Sequence, residues 1–157
     1  MTKRYHHILI PLDGSPLAEL ALADAFSVAE LSHAEVTLLQ VVPPIDHVIA
    51  TEADHPIFVD QQWEAKKMMA RDYLQGVCER AGCPDVAVHL VVEMGLAAET
   101  IIDYARHHPI DLIVMATHGR SGLQRWVYGS VADKVLRGAN QPILLVRAYP
   151  QQEGTSG

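Results

Sequence analysis

Apolar residues fall along this chain in two alternating rhythms. Five short runs are almost continuously apolar and rich in Val, Ile and Leu: residues 5–11, 35–42, 86–92, 110–116 and 143–146. Runs without a polar alternate face suit parallel strands covered on both sides. Between them the spacing changes to three and four. Ser15 and Pro16 read as the cap and first residue of a helix whose apolar face carries Leu17, Leu20, Ala21, Val28 and Leu31. Met69, Tyr73, Val77 and Ala81 recur every four residues up to a stop at Gly82. Ala98, Ile101, Ile102 and Ala105 form a third face, with Pro109 just beyond it. Ala132, Val135, Leu136 and Ala139 form a fourth, with Asp133 early and Arg137 late, as a helix dipole favours. Residues 43–62 contain Pro43, Pro44 and Pro56 and show no clean period; they read as a long loop or short helix at the rim of a pocket.

Five strands alternating with four helices predict an α/β fold: one open, Rossmann-like parallel sheet with helices on both faces. Right-handed crossovers leave a few doubly wound orders. In the order 3-2-1-4-5, the ligand crevice lies outside the carboxyl ends of the first and fourth strands, where the order reverses. Two stretches that no local rule connects would meet there. Pro11-Leu12-Asp13-Gly14-Ser15 follows the first strand. Ala116-Thr117-His118-Gly119-Arg120-Ser121-Gly122 follows the fourth, with Gly129-Ser130 after it. Each breaks a buried strand into small, turn-forming residues ahead of a helix. Open sheets build phosphate sites in this way, from backbone N–H groups and a helix N-terminus. The pair predicts a nucleotide pocket.

Composition narrows the function. The 157 residues make one domain, expected over 1–147, with a polar tail over 148–157. The formal charge of −7 argues against a nucleic-acid partner, which selects a basic surface, and leaves a polyphosphate to be held by local groups. No apolar run approaches the roughly 20 residues of a membrane span. The start lacks the long apolar region of a signal peptide, so a cytoplasmic protein is expected. Cys78 and Cys83 suggest no disulfide framework. Of the nine histidines, His118 alone falls in the expected pocket, where loop hydrogen bonding is the reading preferred over a catalytic base. The others show no metal-ligand spacing on one helix and read as surface or capping residues.

These residues resemble the universal stress proteins. The likeness lies in Pro11-Leu12-Asp13-Gly14-Ser15, in residues 111–122, in Gly129-Ser130-Val131-Ala132-Asp133-Lys134-Val135 and in the ending Gln141-Pro142-Ile143-Leu144-Leu145-Val146-Arg147. It implies an adenine-nucleotide-binding α/β fold that forms a homodimer. The family's nucleotide-binding branch carries Gly, two residues, Gly, nine residues, then Gly-Ser or Gly-Thr. Gly119 and Gly129-Ser130 match its second glycine and final pair, and Ala116 stands where the first glycine would. The ligand implied is ATP or AMP, with Mg or Mn carried on the nucleotide's own phosphates. Gly119, Gly129 and the N–H groups of Ser130 and Val131 would cradle those phosphates. The Ser130 hydroxyl would donate to a phosphate oxygen or cap the helix, and Arg120 would pair with a phosphate or remain solvated. Val41 matches the position whose backbone meets the adenine edge, with Pro11 and Leu12 lining the base. Asp13 would bind ribose, adenine or the metal, or close an Asx-turn beside Ser15. Met115, Ala116, His118 and Gly122 complete the expected wall.

On this reading the chain is a stress-response regulator. Slow ATP hydrolysis is the enzymatic alternative, and a dimer that binds no nucleotide is the third. Residues 142–147 would form an edge strand whose apolar run needs cover. The resemblance implies that its own copy supplies it, in a homodimer with Leu144 or Leu145 as the anchor.

Overall fold

The computed structural model describes residues 2–44, 56–82, 85–118 and 129–148, with the backbone alone for 56–59. Five strands, β1 (His7–Leu12), β2 (Glu35–Val42), β3 (Val88–Met94), β4 (Leu112–His118) and β5 (Ile143–Ala148), pair in parallel in the order β3-β2-β1-β4-β5. This is the order expected from the sequence, and it reverses between β1 and β4. The helices are α1 (Pro16–Glu19), α2 (Ala21–Ser32), α3 (Pro56–Ala81), α4 (Ala97–His107) and α5 (Ser130–Gly138). None of the described helices is long and apolar enough to cross a membrane.

Strand alternation divides the core in two. Ile8, Ile10, Val36, Leu38 and Val114 project to one face, where Ala21, Ala25, Phe26 and Ala29 of α2 and Leu74 and Val77 of α3 cover them. Leu9, Leu39, Ile113 and Met115 project to the other, against Ala98, Ile101 and Ala105 of α4 and Ala132 and Val135 of α5. Ile8, Leu9 and Ile10 are fully buried, and each contributes roughly 1.5–3 kcal/mol of transfer free energy. The amino ends of β1 and β4 are tied by Asp111. Its two carboxylate oxygens accept from the N–H groups of His6 (2.8 Å) and His7 (3.0 Å), and its own N–H donates to the His7 carbonyl at 3.0 Å.

Several local expectations are corrected. The first helix is two: the Leu20 N–H donates to the Leu17 carbonyl, an i→i−3 bond that tightens the chain into a turn between α1 and α2. Leu20 and Leu31 are exposed, because the buried face of α2 is the small-residue row Ala21, Ala25 and Ala29 with Phe26. In α3 the core positions are Ala70, Leu74 and Val77, while Met69 is 73% exposed. The chain is already helical from Pro56, inside the stretch read as irregular; 45–55 lie outside the described residues. Four of the five strands continue past their expected carboxyl ends. Backbone pairing does not need apolar side chains, and the ladder continues through Thr117↔Arg147 and His118↔Ala148.

Candidate functional site

At the carboxyl ends of β1 and β4 a cavity of about 250 Å³ opens between the strands and α5. Pro11, Leu12, Asp13 and Ser15 reach it from the end of β1, Val41 from β2, Met115, Ala116 and His118 from β4, and Gly129, Ser130 and Val131 from the start of α5. Residues separated by more than a hundred positions thus meet at the expected point. Gly119, Arg120 and Gly122 lie outside the described residues.

The turn after β1 is built from its own side chains. Gly14 holds φ +85°, a conformation that L side chains rarely adopt. Asp13 Oδ1 accepts from the Ser15 N–H at 2.9 Å and from the Ser15 hydroxyl at 2.6 Å, closing an Asx-turn. Ser15 Oγ in turn accepts from the Ala18 N–H at 3.2 Å and caps α1. Its hydroxyl proton is therefore spent inside the protein, and among the described residues Asp13 Oδ2 is the oxygen that remains for a ligand. Tyr73 of α3 lies beside this turn. Burial pushes its phenol above the ordinary value, the Glu19 and Asp13 carboxylates add to the rise, and Arg80 and the Gly14 peptide oppose it.

The opposite wall is the start of α5. Gly129 is the N-cap, with no side-chain cap bond, so the capping role weighed for Ser130 belongs instead to its neighbour. The first intrahelical bond runs from the Asp133 N–H to the Gly129 carbonyl at 2.9 Å. The N–H groups of Ser130, Val131 and Ala132 precede it and have no partner within the helix. All three residues line the cavity. A Cβ placed on Gly129 meets nothing within 4 Å among the described residues, so backbone here is open to the cavity. Ala116 lies inside β4, paired with Val146, rather than in a loop. A strand position needs no positive φ, so alanine fits where the motif has glycine.

Val41 lies at the cavity, one residue past the end of the β1–β2 ladder. The Glu35 N–H donates to the His6 carbonyl, so alternation turns the peptide groups of the odd-numbered β2 residues toward β1. The last register pair is Leu12↔Gln40, which leaves the Val41 carbonyl beyond the end of β1. A planar ligand edge could use it.

Sequence reasoning missed Leu17, Ala18, Leu39, Ala97, Ile101, Thr117 and Ala132, which also line the cavity. Ala97 and Ile101 come from α4, and nothing local connects that helix to the site. Thr117 had a signal: it is a hydroxyl within an apolar strand. It is 4% exposed and its Oγ1 has no hydrogen-bond partner among the described residues. No Lys or Arg lines the cavity among the described residues. Among the described residues, its chemistry is a largely apolar slot with three N–H donors unpaired within their helix, a buried hydroxyl and one carboxylate.

Comparison with known proteins agrees with this architecture. A family model described as the universal stress protein family matches residues 4–147. A universal stress protein of Methanocaldococcus jannaschii is 33% identical over 150 residues, which cover 95% of this chain and 85% of that protein. The solved structure of the universal stress protein UspA from Lactobacillus plantarum superposes with a TM-score of 0.74 at 29% identity, covering 93% of this chain and 100% of that one. The universal stress protein from Archaeoglobus fulgidus in complex with dAMP shares the fold at a TM-score of 0.56 and 22% identity, covering 91% of this chain and 98% of that one.

Proposed function

Because this chain belongs to the universal stress protein family, we propose that it binds an adenine nucleotide, ATP or AMP, in the cleft between β1, β4 and α5. It would act as a cytoplasmic regulatory homodimer in the response to stress. The observation that carries this reading is the start of α5, which has no side-chain cap and whose first three residues, with N–H groups unpaired within the helix, line the cavity. Anions are stabilised at such a terminus by the N–H groups and the helix dipole together. Phosphates seat at Gly129, Ser130 and Val131, where the Ser130 hydroxyl, not used as a cap, is available to donate. The base lies between Pro11, Leu12 and Val41. An adenine amino group donates to the Val41 carbonyl; guanine presents an oxygen at that position and is repelled.

Asp13 Oδ2 accepts from ribose hydroxyls, since a carboxylate placed directly against phosphate would oppose it. A Mg or Mn ion fits the site only as a passenger. Asp13 is the one carboxylate among the described lining residues, so the ion takes most of its ligands from phosphate oxygens and water. Gly119, Arg120 and Gly122 belong to the same proposal as the remaining phosphate loop, with His118 beside them. A single domain over 1–147 with a short polar tail is part of it. The dAMP held by the Archaeoglobus protein supports the ligand class.

The test is calorimetric titration with ATP, AMP and GTP. Adenine nucleotides are expected to bind at least about tenfold more tightly than GTP, a difference of about 1.4 kcal/mol. Equal affinities would defeat the assignment of the Val41 carbonyl.

Ala116→Gly should have a small effect. The methyl group lines the slot but packs partly against the core. Its removal is expected to change ATP affinity by less than about tenfold, toward tighter binding. The same change lowers stability by roughly 1 kcal/mol, because glycine weakens a strand interior. Chemical denaturation and titration of the same sample read both effects. Weaker binding would mean that the methyl contacts the ligand.

A further inference from the structure

The amino end of the sheet carries a second constellation, at the opposite end of the strands from the nucleotide cleft. Strands of this length separate the two ends by about 16 Å. Among the described residues, His7, Glu35 and His89 each offer a ligand atom, and these atoms all lie within 4.8 Å of one another. The sheet itself brings them together. His7 opens β1 and pairs in register with Glu35, which opens β2, and His89 on β3 pairs with Thr37, two residues further along β2. By strand alternation all three project to the same face.

We propose that His7, Glu35 and His89 form a binding site for a divalent transition-metal ion of the zinc class. Two imidazoles and one carboxylate are the donor set that borderline ions such as Zn²⁺ take, whereas Mg²⁺ takes oxygen and water. His89 Nε2 and Glu35 Oε2 lie 2.9 Å apart. Two ligands of a tetrahedral zinc lie about 3.4 Å apart, given bonds of about 2.1 Å, so the pair need part by only about half an ångström. Their side chains are 52% and 55% exposed and can make that adjustment. His7 is the fixed member. Its Nε2 lies 2.7 Å from Thr37 Oγ1, which orients the ring, and its backbone N–H is held by Asp111. A neighbouring group that fixes a ligating ring is a recurrent feature of metal sites. The competing description is a surface His–Glu ion pair, which contributes little to stability. It accounts for His89 and Glu35 but not for a second imidazole, oriented by Thr37, beside the same carboxylate. Three protein ligands leave a tetrahedral ion one position for water or an external donor.

The experiment titrates the purified full chain with ZnCl₂ by calorimetry and with Co²⁺ by visible absorption. Wild type is compared with Glu35→Gln, His89→Ala and, as a control for scattered surface histidines, His33→Ala; His33 is exposed and outside the cluster. One ion per chain is expected, with tetrahedral Co²⁺ bands. Glu35→Gln and His89→Ala should each weaken binding at least about tenfold, and His33→Ala should leave it unchanged. Both cluster substitutions are at exposed positions, and circular dichroism of each variant verifies that it is folded. No binding by wild type, or equal binding by all four proteins, would overturn the site.

Discussion

Gly129→Val is expected to reduce ATP affinity at least about 100-fold, about 2.8 kcal/mol, with the fold intact. The two halves of that expectation have separate grounds. A Cβ at Gly129 meets nothing within 4 Å among the described residues, and φ there is −55°, which any residue can adopt. Valine is therefore accommodated by the protein. Its branched side chain then stands in front of the orphan N–H groups of α5, where a phosphate would approach. Titration with ATP, paired with a thermal melt, separates loss of the site from loss of the fold. Unchanged affinity in a folded variant would remove the start of α5 from the binding surface.

Leu144→Glu should raise the dissociation constant of the proposed homodimer at least about 100-fold, the size of effect reserved for residues at the centre of an interface. Of the two leucines open as anchors, Leu145 packs against its own core beside α5, and Leu144 is 37% exposed. β5 is an edge of the sheet. The Ile113 N–H donates to the Pro142 carbonyl, so alternation turns the peptide groups of 143, 145 and 147 away from β4. A two-fold axis beside this edge would set the strand antiparallel to its copy and bring the two introduced carboxylates close together. Sedimentation equilibrium reads the constant directly. A wild-type protein that sediments as a monomer at tens of micromolar would end the proposal.

The strands were legible because both faces of this sheet are covered, which writes continuous apolar runs into the chain; their order was one of the few that right-handed crossovers allow. The helix faces were less so. In α3, Met69 and Ala70 begin two overlapping rows; the large apolar side chain drew attention to the exposed one, while the core uses Ala70 and Leu74. In α2 the buried face is mostly alanine, whose weak hydrophobic signal is easily outweighed by Leu20 and Leu31. The cleft residues beyond β1 and β4 could be named because small residues and glycines cluster there. The α4 contribution could not be read, since it depends on which way a helix packs. The group at His7, Glu35 and His89 escaped for a related reason: metal-ligand spacing is a rule about one helix, and these three residues sit on three strands.

The Asp111 clasp on β1 also bears on how the chain is made. β1 leaves the ribosome well before its partner on one side, β4, which lies more than a hundred residues later in the chain. Until then β3, β2 and β1 can assemble alone, and β1 must wait with one hydrogen-bonding edge bare and three of the most buried side chains of the final protein incompletely covered. Long-range parallel pairing of this kind folds slowly and exposes sticky intermediates. During synthesis the strand at the centre of the finished sheet is therefore its outer margin, and a nascent chain that stalls before residue 111 leaves that edge open to pairing with another chain.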